Sequence, residues 1–154
     1  MALTLDAAIP PGKRILIDTS VALAYLTGTE STSPAATRLF DDFLASGRDL
    51  GAMSMITVGE ILVRPFRAGP SAVATAEGFL QHFAELDLIE IDYAIAREAA
   101  RIRAGTDLRM PDALILSSAT VTSCDLLCTN DRSLGVAADG LGIGVCLLSE
   151  VVAS

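Results

Sequence analysis

The feature that most narrows the possible folds is an alternation of short apolar runs with helix-length amphipathic stretches. Arg14–Ile17 is too short and too continuously apolar for a surface helix, and suits a strand covered on both faces. Asp18-Thr19-Ser20 then opens a helix to about Leu26. Ser33 and Pro34 start a second helix, closed by Gly47, with Ala36, Leu39, Phe40, Phe43 and Leu44 on one face. The same rhythm continues: a strand over Asp49–Met53, a helix over Met55–Pro65, and another from Ser71 whose stripe is Ala76, Phe79, Leu80 and Phe83. A strand at Leu86–Ile91 precedes a helix over Ala94–Ala104, ended by Gly105. A helix from Pro111 to about Thr122, a strand at Leu126–Thr129, a turn at Asn130–Leu134 and a final strand at Ile143–Leu148 complete the pattern. Strands alternating with helices predict an α/β fold, a three-layer α/β/α sandwich with a largely parallel central sheet. No repeat or linker divides the chain. The expected layout is an N-terminal tail over 1–12, ending in Pro10-Pro11-Gly12, and one domain over 13–154. In such sheets ligands sit outside the carboxyl ends of the strands.

Composition excludes several alternatives. With 51% hydrophobic and 19% charged residues, the 154-residue chain has the reverse of a disordered composition. No uncharged apolar run reaches the ~18 residues of a membrane span. The first residues, MALTLDAAIPPGKR, hold neither a basic leader nor an apolar core of a signal peptide, so a cytoplasmic location is expected. Cys124, Cys128 and Cys146 form no C-x-x-C pair, and the one histidine, His82, is remote from them in sequence. That argues against zinc and for reduced, buried thiols. Eleven Lys+Arg against nineteen Asp+Glu give a net charge of −8, which opposes indiscriminate binding of nucleic acid.

Four acids occupy informative positions. Asp18 follows the first strand and Asp131 follows the Leu126–Cys128 run; a helix cap or a turn would explain either one alone. Asp112 lies after Pro111 in the first turn of an apolar helix, where it complements the helix dipole. Glu60 sits in Met55–Pro65, which reads as apolar nearly all round and therefore buried, so an ionised carboxylate there needs compensation. Carboxylates converging in one crevice repel one another, and a hard divalent cation such as Mg²⁺ or Mn²⁺ relieves the conflict.

At these residues the sequence resembles a known family. RILIDTS, MSMITVGEIL, RMPDALILSSA and LLCTNDRSL are similar, in order and spacing, to the four acidic motifs of PIN-domain nucleases, over about residues 13–148. The size and layout resemble VapC-type toxins, the ribonuclease halves of bacterial toxin–antitoxin pairs. The resemblance implies that Asp18, Glu60, Asp112 and Asp131 are the metal-binding and catalytic acids, supported by the hydroxyls of Ser20 and Thr129. It further implies a PIN-like fold, Mg²⁺- or Mn²⁺-dependent hydrolysis of RNA, a homodimer and a cognate antitoxin. The motif departs at Leu134, where many members carry an aromatic residue.

Two other readings compete. A PIN-like module that binds protein or RNA without turnover is disfavoured by four intact acids. An aspartyl-phosphate enzyme or receiver would also place Asp after a first strand, but Asp18-Thr19-Ser20 lacks the second Asp of the common phosphatase motif. Arg64, Arg67 and Arg109, close in sequence to the acids, are the candidates for positioning RNA, since the guanidinium forks onto phosphate. Arg97, Arg101 and Arg103 read more simply as a solvated helix face beside Glu98, and His82 as a plain surface or semi-buried residue. The four acids make up half of the net charge of −8, so part of the acidity belongs to the metal site.

Overall fold

The computed structural model describes residues 2–153. Its central sheet contains β2 (Arg14–Ile17), β3 (Leu50–Ser54), β4 (Leu86–Ile89), β5 (Leu126–Thr129) and β6 (Gly144–Leu147), in the order β4-β3-β2-β5-β6 and parallel throughout. Helices cover both faces, as expected of a three-layer α/β/α sandwich. The period of two along β2 explains how. Ile15 and Ile17 face one core, with Met53, Cys128 and residues of α2 (Thr19–Thr27), α3 (Ser33–Arg38), α4 (Met55–Ala68) and α5 (Pro70–His82). Leu16 faces the other, with Ala52, Leu127 and residues of α6 (Tyr93–Ala104), α7 (Met110–Val121) and α8 (Arg132–Gly140). Tyr25 stacks on Phe40 at 4.3 Å, with Phe79 and Phe83 edge-on around Phe40, so the apolar stripes of the helices meet as one aromatic cluster.

Four expectations need correcting. The stretch read as an N-terminal tail forms β1 (Leu3–Thr4) and α1 (Leu5–Ala8); β1 pairs in parallel with β7 (Val151–Val152), and Leu5 and Ile9 are wholly buried. Pro10-Pro11-Gly12 is a connector within the fold. The helix from Ser33 widens into a π-helical segment over Leu39–Leu44, which puts Leu39, Phe40, Phe43 and Leu44 all inward. The helix over Met55 runs through Pro65 to Ala68, and only Thr57, Val58 and Ile61 of it are buried. Asn130–Leu134 is not only a turn: it holds the start of α8. Gly135 lets this helix approach β6, since a Cβ there would lie 3.1 Å from the Val145 side chain. No helix among the described residues is long and apolar enough to cross a membrane.

Candidate active site

The order of the sheet creates the site. From β2 the chain moves outward through β3 and β4, then returns to place β5 on the other side of β2. The carboxyl ends of β2 and β5 therefore flank a crevice where the winding reverses, the usual ligand position in open α/β sheets. Asp18 follows β2 directly and Thr129 ends β5, with Asp131 two residues on.

Asp18 stands where a helix cap would, but its carboxylate caps nothing. Its Oδ2 instead accepts from Ser20 Oγ at 2.8 Å and from Thr129 Oγ1 at 2.7 Å. Each hydroxyl is oriented by an amide just after β5: Asn130 N donates across to Ser20 Oγ and Asp131 N to Thr129 Oγ1, both at 2.9 Å. A hydroxyl that accepts from an amide has its proton directed onward, so both protons point at one carboxylate oxygen. Oδ1 accepts no hydrogen bond from the described residues and is left for a ligand. Asp18 is only 6% exposed, and this arrangement makes its charge tolerable there.

Asp131 divides its two oxygens in a similar way. Oδ1 caps α8, accepting from Ser133 N at 2.9 Å and Leu134 N at 3.2 Å, while Oδ2 makes no such bond. The cap reading thus accounts for one oxygen and leaves the other. Asp112 lies in the first turn of α7, with Arg109 Nε 3.9 Å from its Oδ2. Burial pushes the Asp112 carboxyl above its ordinary value; Arg109 opposes this, and the charges of Asp131 and Asp18 push the same way as burial. Asp18, Asp112 and Asp131 therefore share one electrostatic environment.

Glu60 differs from the expectation. It is exposed, not enclosed in an all-round apolar helix, because α4 turns Gly59, Glu60, Val63 and Arg64 to solvent. Its Oε1 accepts from Thr19 Oγ1 at 2.8 Å, and Thr19 Oγ1 lies 3.0 Å from the hydroxyl of the buried Thr57.

Among the described residues, no three His, Cys, Asp or Glu side chains are grouped closely enough to hold a metal ion as they stand. The cysteines are free, and Cys128 and Cys146 are buried side by side on β5 and β6, while His82 is exposed at the end of α5. The donor chemistry is thus carboxylate oxygen, with one unengaged oxygen each on Asp18 and Asp131. That suits a hard ion that retains several waters and needs few protein ligands, as Mg²⁺ does.

The arginines separate. Arg109 is beside Asp112, with its side chain 83% exposed. Arg64 and Arg67 follow Glu60 by four and seven residues on the exposed side of α4, about 6 and 10 Å along the helix axis. Neither has a carboxylate partner among the described residues, whereas Arg101 pairs with Glu98 and the Arg103 Nε donates to Leu108 O.

Two residues at the crevice escape a reading of the sequence. Thr19 holds Glu60, and Asn130 reaches across to Thr32 Oγ1 at 3.1 Å while its buried Oδ1 has no donor among the described residues. A signal existed for Thr19. Asp-Thr-Ser offers three capping side chains where a helix needs one, and the surplus marks a polar site.

A PIN domain family profile matches residues 15–139. No curated protein sequence matches the chain. Among solved structures, FitAcB from Neisseria gonorrhoeae is similar at a TM-score of 0.67 and 20% identity, covering 89% of this chain and 99% of that one. A toxin–antitoxin complex from Klebsiella pneumoniae is similar at 0.66 and 23% identity, again covering 89% and 99%. VapC20 from Mycobacterium tuberculosis, a sarcin–ricin loop cleaving toxin, is similar at 0.62 and 17% identity, covering 80% and 94%. At such identities these structures speak to the fold, and the profile, spanning β2 to α8 with every residue of the crevice inside it, decides the family: the chain belongs to the PIN domain family.

Proposed function

We propose that this PIN domain protein is a ribonuclease dependent on Mg²⁺ or Mn²⁺, acting as the toxin of a type II toxin–antitoxin pair. The observation that carries the reading is the junction of Asp18 and Asp131 at the reversal of the sheet, where Thr129 Oγ1 donates to Asp18 Oδ2 and accepts from Asp131 N, and each acid keeps one oxygen unengaged among the described residues. Carboxylates held together against their own repulsion imply a cation as their working partner.

Asp18, Asp112 and Asp131, with Glu60 from the facing helix, are the residues that would hold it. A bound ion of this kind supplies a water of lowered pKa and positive charge opposite the non-bridging phosphate oxygens. The chain's own residues prepare that chemistry. Ser20 and Thr129 occupy Asp18 Oδ2 and present Oδ1 to the crevice. The cap of α8 fixes Asp131 in the same manner. Arg109, at the rim, is placed to fork onto a phosphate, and Arg64 and Arg67 extend a cationic track from Glu60 along α4. With a net charge of −8, such placed arginines, not bulk charge, would hold RNA.

The similar structures include toxin–antitoxin complexes, which supports a cognate antitoxin as partner. An antitoxin that blocks the crevice, and a homodimer, are what the resemblance to VapC-type toxins implies. The second reading, a PIN module without turnover, draws on the lack of three acids grouped closely enough to hold an ion among the described residues. Incubating purified protein with total RNA in Mg²⁺, Mn²⁺ or EDTA separates the two. Metal-dependent cleavage lost in Asp18→Asn supports the ribonuclease; an intact RNA pool under every condition supports the silent module.

A further inference from the structure

Glu60 is the outlier among the acids, and Thr19 explains how it joins them. Arg109 stands beside Asp112, and Thr129 joins Asp18 to Asp131, whereas no side chain links Glu60 directly to any of these acids among the described residues. Glu60 also stands on an exposed helix face, where a free glutamate samples many rotamers and holding it in one costs conformational entropy. The only side-chain hydrogen bond its carboxylate accepts among the described residues comes from Thr19 Oγ1. Thr19 is the first residue of α2, one position after Asp18, so this bond draws the Glu60 carboxylate to the amino end of α2 beside the crevice.

The carboxylate of Glu60 can only accept, so it takes the Thr19 proton and leaves Thr57 as the donor to Thr19. The Thr57 hydroxyl is wholly buried, three residues before Glu60 on α4, and lies 3.0 Å from Thr19 Oγ1. Each hydroxyl has one proton, and in this arrangement both buried and exposed groups are satisfied. From this relay we infer that Thr19 is a positioning residue: it tethers Glu60 Oε1, leaves Oε2 unengaged, and so completes the set of oxygens offered to a divalent ion. The inference rests on the metal-binding reading above and adds to it a residue outside the four acidic positions.

The test is Mn²⁺ titration of the full-length protein, read by the loss of the free-ion electron paramagnetic resonance signal, with thermal melting in parallel. Removing a group that orients a metal-binding carboxylate typically weakens the ion about tenfold or more. Thr19→Val should therefore weaken Mn²⁺ binding about tenfold, while Thr19→Ser, which keeps the hydroxyl, should restore it. Since Thr19→Val strands the buried Thr57 hydroxyl and lowers stability, the decisive comparison is in the Glu60→Gln background. There Thr19→Val should weaken Mn²⁺ no further, although it destabilises the fold as before. An equal loss of affinity in both backgrounds, or Mn²⁺ affinity unchanged by Thr19→Val while Glu60→Gln weakens it, overturns the tether and leaves the metal site standing. Affinity unchanged by Glu60→Gln itself overturns the placement of Glu60 at the ion, and the tether with it.

Discussion

Thr129 offers the most searching test of how the crevice is built, because one hydroxyl joins two acids from two strand ends. It is wholly buried, donates to Asp18 Oδ2 at 2.7 Å and accepts from Asp131 N at 2.9 Å. Thr129→Val keeps the branched shape of the side chain and removes only these two bonds. A hydrogen bond to a charged group is worth about 1.5–3 kcal/mol, and a stranded, partly buried amide adds about 1 kcal/mol more. Ser20 still donates to Asp18 Oδ2 in the variant, which limits the loss, so roughly 2–4 kcal/mol of destabilisation is expected. For a chain of this length each kcal/mol lowers Tm by about 2–4 °C, giving a fall of roughly 5–15 °C in calorimetry. Thr129→Ser should recover most of it. In an Asp18→Asn background the penalty should shrink by about half, because the acceptor is no longer charged. The reasoning is refuted if Thr129→Val melts within about 1 °C of the parent, or if its penalty is the same with Asn at position 18.

Other consequences are more direct. Asp18→Asn should abolish metal-dependent RNA cleavage while circular dichroism shows an unchanged fold; retained cleavage would remove Asp18 from the site. Charge reversal at both Arg64 and Arg67 should weaken RNA binding and flatten its salt dependence, measured by fluorescence anisotropy. The slope of log K against log salt should fall by about 0.7 for each phosphate that the variant no longer neutralises. An unchanged slope would free α4 of any role in holding RNA. Asp112 makes stability depend on pH with a definite sign. Its carboxyl binds a proton more tightly folded than unfolded, so stability should fall as pH rises from the ordinary value of 3.8 through the raised one. Urea midpoints across that range should flatten in Asp112→Asn, and a slope that persists would mean other carboxyls cause it. Saturating Mn²⁺ should offset the loss at neutral pH by binding only the folded state.

Local pattern alone was enough to dictate the layers of this protein and the addresses of its acids. Continuous apolar runs such as Arg14–Ile17 cannot be half-exposed strands, and the helical stripes of Leu39, Phe40, Phe79 and Phe83 demand a common core; both are local patterns that survive tertiary packing. The same kind of pattern marked Asp18 and Asp131 as strand-end residues and Asp112 as a first-turn residue, and the structure joins the first two at the β2/β5 crevice through Thr129. Long-range placement was not legible. Leu5 and Ile9 are buried only because Leu3–Thr4 pairs with Val151–Val152 at the far end of the chain, a contact no local pattern announces. Glu60 read as buried because Met55–Pro65 is apolar nearly all round in sequence, and exposure depends on which side the neighbouring elements cover. Most of all, hydrogen-bond direction belongs to the tertiary structure. Whether Asp18 caps a helix or receives Ser20 and Thr129 depends on β5 lying beside β2, since an amide from 110 residues away in sequence must orient the Ser20 hydroxyl that reaches it.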